Sequence, residues 1–223
     1  MITVIDGPTG SGKTFFMVNY LVKSDWKYGH KVYTNFPVWF DEEKTNIERW
    51  HILDELYHVE NGIICIDEGQ KLFDAHRWKG VPISFSEKIA QHRKHKLDIY
   101  TMTQDLGHIY KRFRDNIHNL YSCRSVFRYP KNERRKPALQ IVQVIHKTRS
   151  VTSDNRVHWK ITGRRKIYIS KYWSKTYYNS YQDIGFNKVL CKIKHEKKRG
   201  VKTGKWTGKL YSREVINAGR ARF

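Results

Sequence analysis

Gly7-Pro8-Thr9-Gly10-Ser11-Gly12-Lys13-Thr14 follows a short apolar run, Ile2-Thr3-Val4-Ile5, and precedes Phe15-Phe16-Met17-Val18-Asn19-Tyr20-Leu21-Val22. Buried strand, glycine loop and helix in that order make a phosphate-binding loop. The glycines let backbone N–H groups close around the phosphates, Lys13 reaches the β- and γ-oxygens, and the Thr14 hydroxyl is placed to ligate Mg²⁺. Gly7, Pro8, Thr9, Gly10, Ser11, Gly12, Lys13 and Thr14 are therefore the expected nucleotide site, with ATP and Mg²⁺ as its cofactors.

Gly62-Ile63-Ile64-Cys65-Ile66-Asp67-Glu68 is an apolar strand ending in two acids. At the C-terminal edge of a parallel strand beside the first, Asp67 would hold the metal and Glu68 would polarise the attacking water. The alternative is a strand whose flanking acids cap the next helix. Gln104 closes a further apolar strand, Leu97 to Thr103. If that strand adjoins the loop strand, Gln104 can meet both the terminal phosphate and the water; otherwise it is a polar turn former.

Charge divides the chain. Residues 1–130 hold 18 Lys and Arg against 16 Asp and Glu, whereas residues 131–223 hold 25 against 5. The basic half interleaves Tyr168, Tyr172, Trp173, Tyr177, Tyr178, Tyr181 and Trp206, a mixture suited to neutralising phosphates and stacking bases. Nucleic acid is the expected partner; an anionic membrane surface and a merely solvated basic face are the competing readings. Cys65, Cys123 and Cys191 have no metal-ligand spacing and read as free thiols of a reducing compartment. No apolar stretch reaches the roughly 18 residues needed to span a bilayer, and no leader pattern opens the chain.

Strands are expected at Ile2–Ile5, Lys31–Phe36, Gly62–Ile66, Leu97–Thr103 and Asn119–Phe127, with loop and helix over Asp41–Val59 and a helix over Ser84–His95 capped by Ser84 or Ser86. Beyond Pro130, Ala138–His146, Val157–Ile161 and Lys166–Ser170 are β-like, with Thr162-Gly163-Arg164-Arg165 as a turn. The expected fold is α/β: a P-loop NTPase with a parallel central sheet flanked by helices, a small antiparallel β extension and a basic C-terminal tail. Its divisions are a core at 1–130, a basic β-rich extension of the same domain at 131–184, and a tail at 185–223.

The loop Gly7–Thr14, the stretch Ile63 to Gln70, the cluster Gln91-His92-Arg93-Lys94-His95 and the strand Leu97 to Gln104-Asp105 resemble, in order and spacing, the Zot-like ATPase family. That family includes the zonular occludens toxin N-terminal domain and the assembly ATPases of filamentous bacteriophages. The resemblance runs to about residue 181, where Tyr177-Tyr178-Asn179-Ser180-Tyr181 looks like its closing segment. It implies an ATPase that extrudes or packages single-stranded viral DNA during virion assembly, in the host cytoplasm and peripheral to the inner membrane. Lys13 and Thr14 become nucleotide and metal contacts, Asp67 and Glu68 the metal and water residues, and Gln104 the sensor.

Arg93 is the candidate arginine finger, acting across a boundary between identical subunits; Arg112 and Arg114 are its rivals, and a solvated helix face is the plain reading of all three. His92 and His95 have no third ligand at metal spacing. Phage-assembly members continue into a membrane-spanning helix, whereas this sequence runs into a basic tail; the anchor then lies on a membrane or coat-protein partner, or the tail binds lipid head groups directly, or the protein packages DNA in the cytoplasm without stable attachment, three alternatives among which the sequence does not choose. The alternative function is a nucleotide-gated binding module that switches assembly with such a partner.

Overall fold

The run Ile2-Thr3-Val4-Ile5 forms the first strand, β1 (Ile2–Asp6), of a computed structural model that describes residues 1–40, 46–76, 83–129, 138–151 and 157–170. Ile2, Val4 and Ile5 are fully buried, as a strand covered on both faces requires. The loop leads into one continuous helix made of α1 (Lys13–Phe16), a π-helical stretch (Met17–Val22) and α2 (Lys23–Lys27). Then come β2 (Lys31–Thr34), β3 (Ile47–Arg49), a 3₁₀ turn (Leu53–His58), β4 (Gly62–Ile66), α3 (Gly69–Leu72), α4 (Ile83–Ala90) and β5 (Leu97–Thr103). A 3₁₀ turn (Leu106–His108), α5 (Lys111–Arg114), β6 (Asn119–Tyr129), β7 (Leu139–Val151) and β8 (Val157–Ser170) complete the described elements.

The eight strands make one sheet in the order β3-β2-β4-β5-β1-β6-β7-β8. Pairing is parallel from β3 to β6, and only β7 runs the other way. This is an α/β fold with a parallel central sheet between helices and an antiparallel extension, as expected from the sequence. The basic stretch 185–223 lies outside the described residues.

Helices cover both faces because the strands are apolar on both. On one face the loop helix buries Phe15, Phe16, Met17, Val18, Val22 and Trp26 against Ile5, Met102, Cys65 and Val32. Tyr100 donates a hydrogen bond to Asp25 at 2.7 Å and fastens α2 to β5. On the other face Gly69 stands so close to Thr101 Oγ1 that a Cβ would overlap it. Beyond it Phe73 stacks on Phe113 at 4.3 Å and on Phe85 at 6.2 Å.

Several expectations are corrected. The acid-bearing strand β4 is not beside β1; β5 lies between them. Asp41–Val59 contains strand β3 and the 3₁₀ turn Leu53–His58, with residues 41–45 outside the described set. The expected helix Ser84–His95 begins at Ile83, so neither serine caps it, and it ends at Ala90. Past Ala90 the run Gln91 to Lys96 has no apolar residue to bury, and Lys96 adopts a left-handed conformation (φ 53°) that turns the chain into β5. The expected turn Thr162–Arg165 is instead a β-bulge within β8: Gly163 pairs with His146 and Ile161 with Lys147, leaving Thr162 over. Strand β2 stops at Thr34, two residues short of Phe36.

The Phe73–Phe85–Phe113 stack is the aromatic seal of the α3–α5 face, and all three rings are at most 2 % exposed. Phe73→Ala should lower stability by about 3–5 kcal/mol, read as a fall in the urea midpoint at unchanged slope. A loss below about 1 kcal/mol would show that the face is held by something else.

Candidate functional site

The loop turns on three glycines with positive φ, Gly7 at 144°, Gly10 at 73° and Gly12 at 84°. Their missing side chains also matter. A Cβ on Gly7 would overlap the Cys123 carbonyl oxygen, and one on Gly12 would stand 2.8 Å from Val142 Cγ2. Gly10 presents its carbonyl to Gln140 Nε2 at 2.6 Å, and Arg128 Nη1 lies 3.4 Å from where its Cβ would be. The β6–β8 strands thus clasp the loop from one side. Gln140, Arg128 and Val142 were not foreseen as site residues; their places on alternating strands carry no sequence mark of the contact.

Lys13 bends back over the loop and donates to the carbonyls of Gly7 at 2.8 Å and Pro8 at 3.0 Å. Burial holds its ammonium below the usual lysine value, while Asp67, Cys123, Asp6 and Glu68 pull the other way. The Ser11 hydroxyl is buried without a hydrogen-bond partner among the described residues. A cation resting on neutral carbonyls, an unmet hydroxyl and glycine turns at a helix N-terminus suit a phosphate chain. The hydroxyl of Thr14 and the carboxylate of Asp67 are hard oxygen donors of the kind Mg²⁺ takes.

Asp67 follows directly on β4 and is held by Asn35, from the end of β2. The Asn35 amide donates to the Asp67 carbonyl at 3.1 Å and accepts from the Asp67 N–H at 2.8 Å. Asn35 is 2 % exposed and is a positioning residue the sequence reading passed over. Burial pushes the Asp67 carboxyl up to about 6, against the Glu68 N–H that donates to it at 2.8 Å. Glu68 itself sits in the left-handed region (φ 52°, ψ 51°) and pairs with Lys71, a conformation that non-glycine residues rarely adopt and that recurs at functional sites.

Gln104 is the first residue beyond β5. Because Asp6 is in register with Thr103, Gln104 stands level with Gly7 and is exposed there. Asp105 then caps the following turn by accepting from Gly107 N at 2.8 Å. The pairing β4-β5-β1 therefore brings Lys13, Thr14, Asp67, Glu68 and Gln104 to one sheet edge. Arg93 is not among them. It precedes β5 at the other edge, where its Nη2 lies 2.7 Å from His118 Nε2. Arg112 and Arg114 lie on α5, with Arg112 exposed.

Residues 1–152 match the family model of zonular occludens toxin (Zot). The chain belongs to the Zot family. Among solved structures it is similar to the N-terminal domain of zonular occludens toxin from Neisseria meningitidis, at 19 % identity over 73 % of this chain and 93 % of that one, TM-score 0.45. It is also similar to the genome packaging NTPase B204 from Sulfolobus turreted icosahedral virus 2 in complex with ATP-gammaS, at 11 % identity over 71 % and 96 %, TM-score 0.49. No curated protein matches the chain.

The raised Asp67 carboxyl makes a signed prediction. It titrates at about 6 in the fold against 3.8 unfolded, so the folded chain binds the extra proton between those values and is stabilised as pH falls through them. Asp67→Asn removes the buried charge while keeping the acceptor for Glu68 N–H. Ligand-free Asp67→Asn should be more stable than the parent by on the order of 3 kcal/mol near pH 7.5. The gain should shrink toward pH 4, as read by urea denaturation. A gain that does not change with pH would contradict the burial argument.

Proposed function

We propose that this Zot-family chain is a Mg²⁺-dependent ATPase that drives single-stranded viral DNA through virion assembly. The observation that supports it most is the β4-β5-β1 order, which sets the acids and Gln104 on the same edge as the phosphate loop. In this reading Lys13 leaves the Gly7 and Pro8 carbonyls for phosphate oxygens, Thr14 and Asp67 would hold the metal, and Glu68 takes the proton of the attacking water. Gln104 orients that water. When bound, Mg²⁺ would supply charge neutralisation on the transferred phosphoryl group.

Arg93, facing away from its own site, serves the site of a neighbouring copy, which makes the working form a homo-oligomer. The basic residues of 131–223 carry the DNA. Attachment at the inner membrane comes through a membrane or coat partner. A second reading, a nucleotide-gated module that switches binding to that partner, draws on the Glu68–Lys71 pair, which engages the Glu68 carboxylate with a side chain of its own turn instead of a water.

Substitutions separate the two. Lys13→Ala should lose ATP binding by calorimetry. Glu68→Gln should bind ATP but turn over about 10²- to 10⁴-fold more slowly. Unchanged turnover in Glu68→Gln would remove Glu68 from the chemistry, whereas turnover indifferent to single-stranded DNA would favour the switch. Arg93→Ala should bind ATP without turnover, and mixing it with Lys13→Ala should restore part of the activity at shared interfaces. Absence of rescue in assembled mixtures would remove Arg93 from the site.

A further inference from the structure

The loop helix and the extension enclose a half-open groove of about 310 Å³, with Phe16, Tyr20 and Leu21 on one side and Tyr121, His146 and Arg165 on the other. It lies at the lower end of the roughly 300–1,000 Å³ typical of ligand pockets. Its walls are flat rings. Tyr121 stacks on His146 at 4.4 Å and 9°, Tyr20 on Phe16 at 5.8 Å and 27°, and Tyr121 meets Phe16 at 5.0 Å. Tyr20 is 40 % exposed, and the Arg165 guanidinium stands 5.6 Å from its ring centre. At the floor Gly163 contributes no side chain, and the nearest atom to a Cβ there would be His146 Cβ at 3.8 Å.

The charge around this groove has one sign. Strands β6, β7 and β8 hold eight Lys and Arg and no Asp or Glu, and Lys160, Arg164, Arg165 and Lys166 on the edge strand are all exposed. Aromatic planes in a cationic strip fit a single strand of nucleic acid, whose bases stack while its phosphates meet the guanidinium groups. The groove is also mechanically tied to the phosphate loop. Tyr20 lies in the π-helical stretch Met17–Val22 of the helix that begins at Lys13, and π-turns recur where helices do work. Within it the Asn19 side-chain amide donates at 3.1 Å to the Phe15 carbonyl, which in a regular α-helix would accept from the Asn19 N–H.

We propose that this groove is a base-stacking subsite for single-stranded nucleic acid, and that a base seated against Tyr20 acts through the loop helix on Lys13 and Thr14. The proposal deepens the DNA-moving reading and rests on it. The single strand is preferred over a free nucleotide because the exposed cations Lys160, Arg164, Arg165 and Lys166 extend along β8 and offer partners to phosphates on more than one nucleotide.

The test uses the full chain and a labelled oligothymidylate followed by fluorescence anisotropy over a salt series, with ATP and AMP binding measured by calorimetry. Tyr20→Ala should weaken the oligonucleotide roughly 5- to 100-fold at unchanged salt slope, because stacking releases no ions. Arg165→Ala should lower the slope by about 0.7. Gly163→Leu, which removes no contact and fills the floor, should also weaken the oligonucleotide. All three should retain ATP binding, and Tyr20→Ala and Gly163→Leu should lose stimulation of ATP turnover by the oligonucleotide. If the parent binds oligonucleotide and the three variants bind it equally well, the groove is not the subsite although the DNA reading stands. If the parent binds none, both fall. Loss of ATP or AMP binding in Tyr20→Ala or Gly163→Leu would assign the groove to the base of a free nucleotide and overturn the proposal.

Discussion

The site depends on the two parallel ladders made by β5. One pairs Asp6 with Thr103 and so sets Gln104 beside Gly7; the other pairs Ile66 with Thr101 and sets Asp67 one strand further on. A slip of one residue in either ladder would turn every side chain of that strand to the opposite face. Register is fixed because both faces are buried, by the loop helix on one side and the Phe73 stack on the other. The geometry of the acids is thus a consequence of packing several residues away from them.

Burial that makes the edge exact also makes it electrostatically costly. Lys13 and Asp67 are each pushed toward their neutral forms by desolvation, while each pulls the other toward its charged form. Asn35 holds the Asp67 backbone whatever the charge of its carboxyl, and the Glu68 N–H favours the charged carboxylate. A phosphate chain with its metal would give both groups the partners they lack, so ligand binding relieves a tension that folding creates.

Much of this was legible in the sequence, and the reason is local chemistry. Gly7 to Thr14, the acids after Ile66 and the polar end of Leu97–Thr103 announce themselves because residue type and position within one segment define them. What escaped was set by long-range pairing. The insertion of β5 between β1 and β4, the Asn35 clamp and the Gln140 bond to Gly10 join residues 32 to 130 positions apart. Strand β3 is only three residues long, too short for a period. The bulge at Thr162 carries turn residues because a bulge and a turn both favour glycine.

In the function proposed for this chain, the β4-β5-β1 edge hydrolyses nucleotide in response to a single strand of DNA. Phosphate release from the purified chain with ATP and Mg²⁺, with and without an oligothymidylate, tests it most directly. Release should depend on the metal, rise steeply with the oligonucleotide, and rise per subunit with protein concentration. Release that is absent, or present but indifferent to the strand, would contradict it.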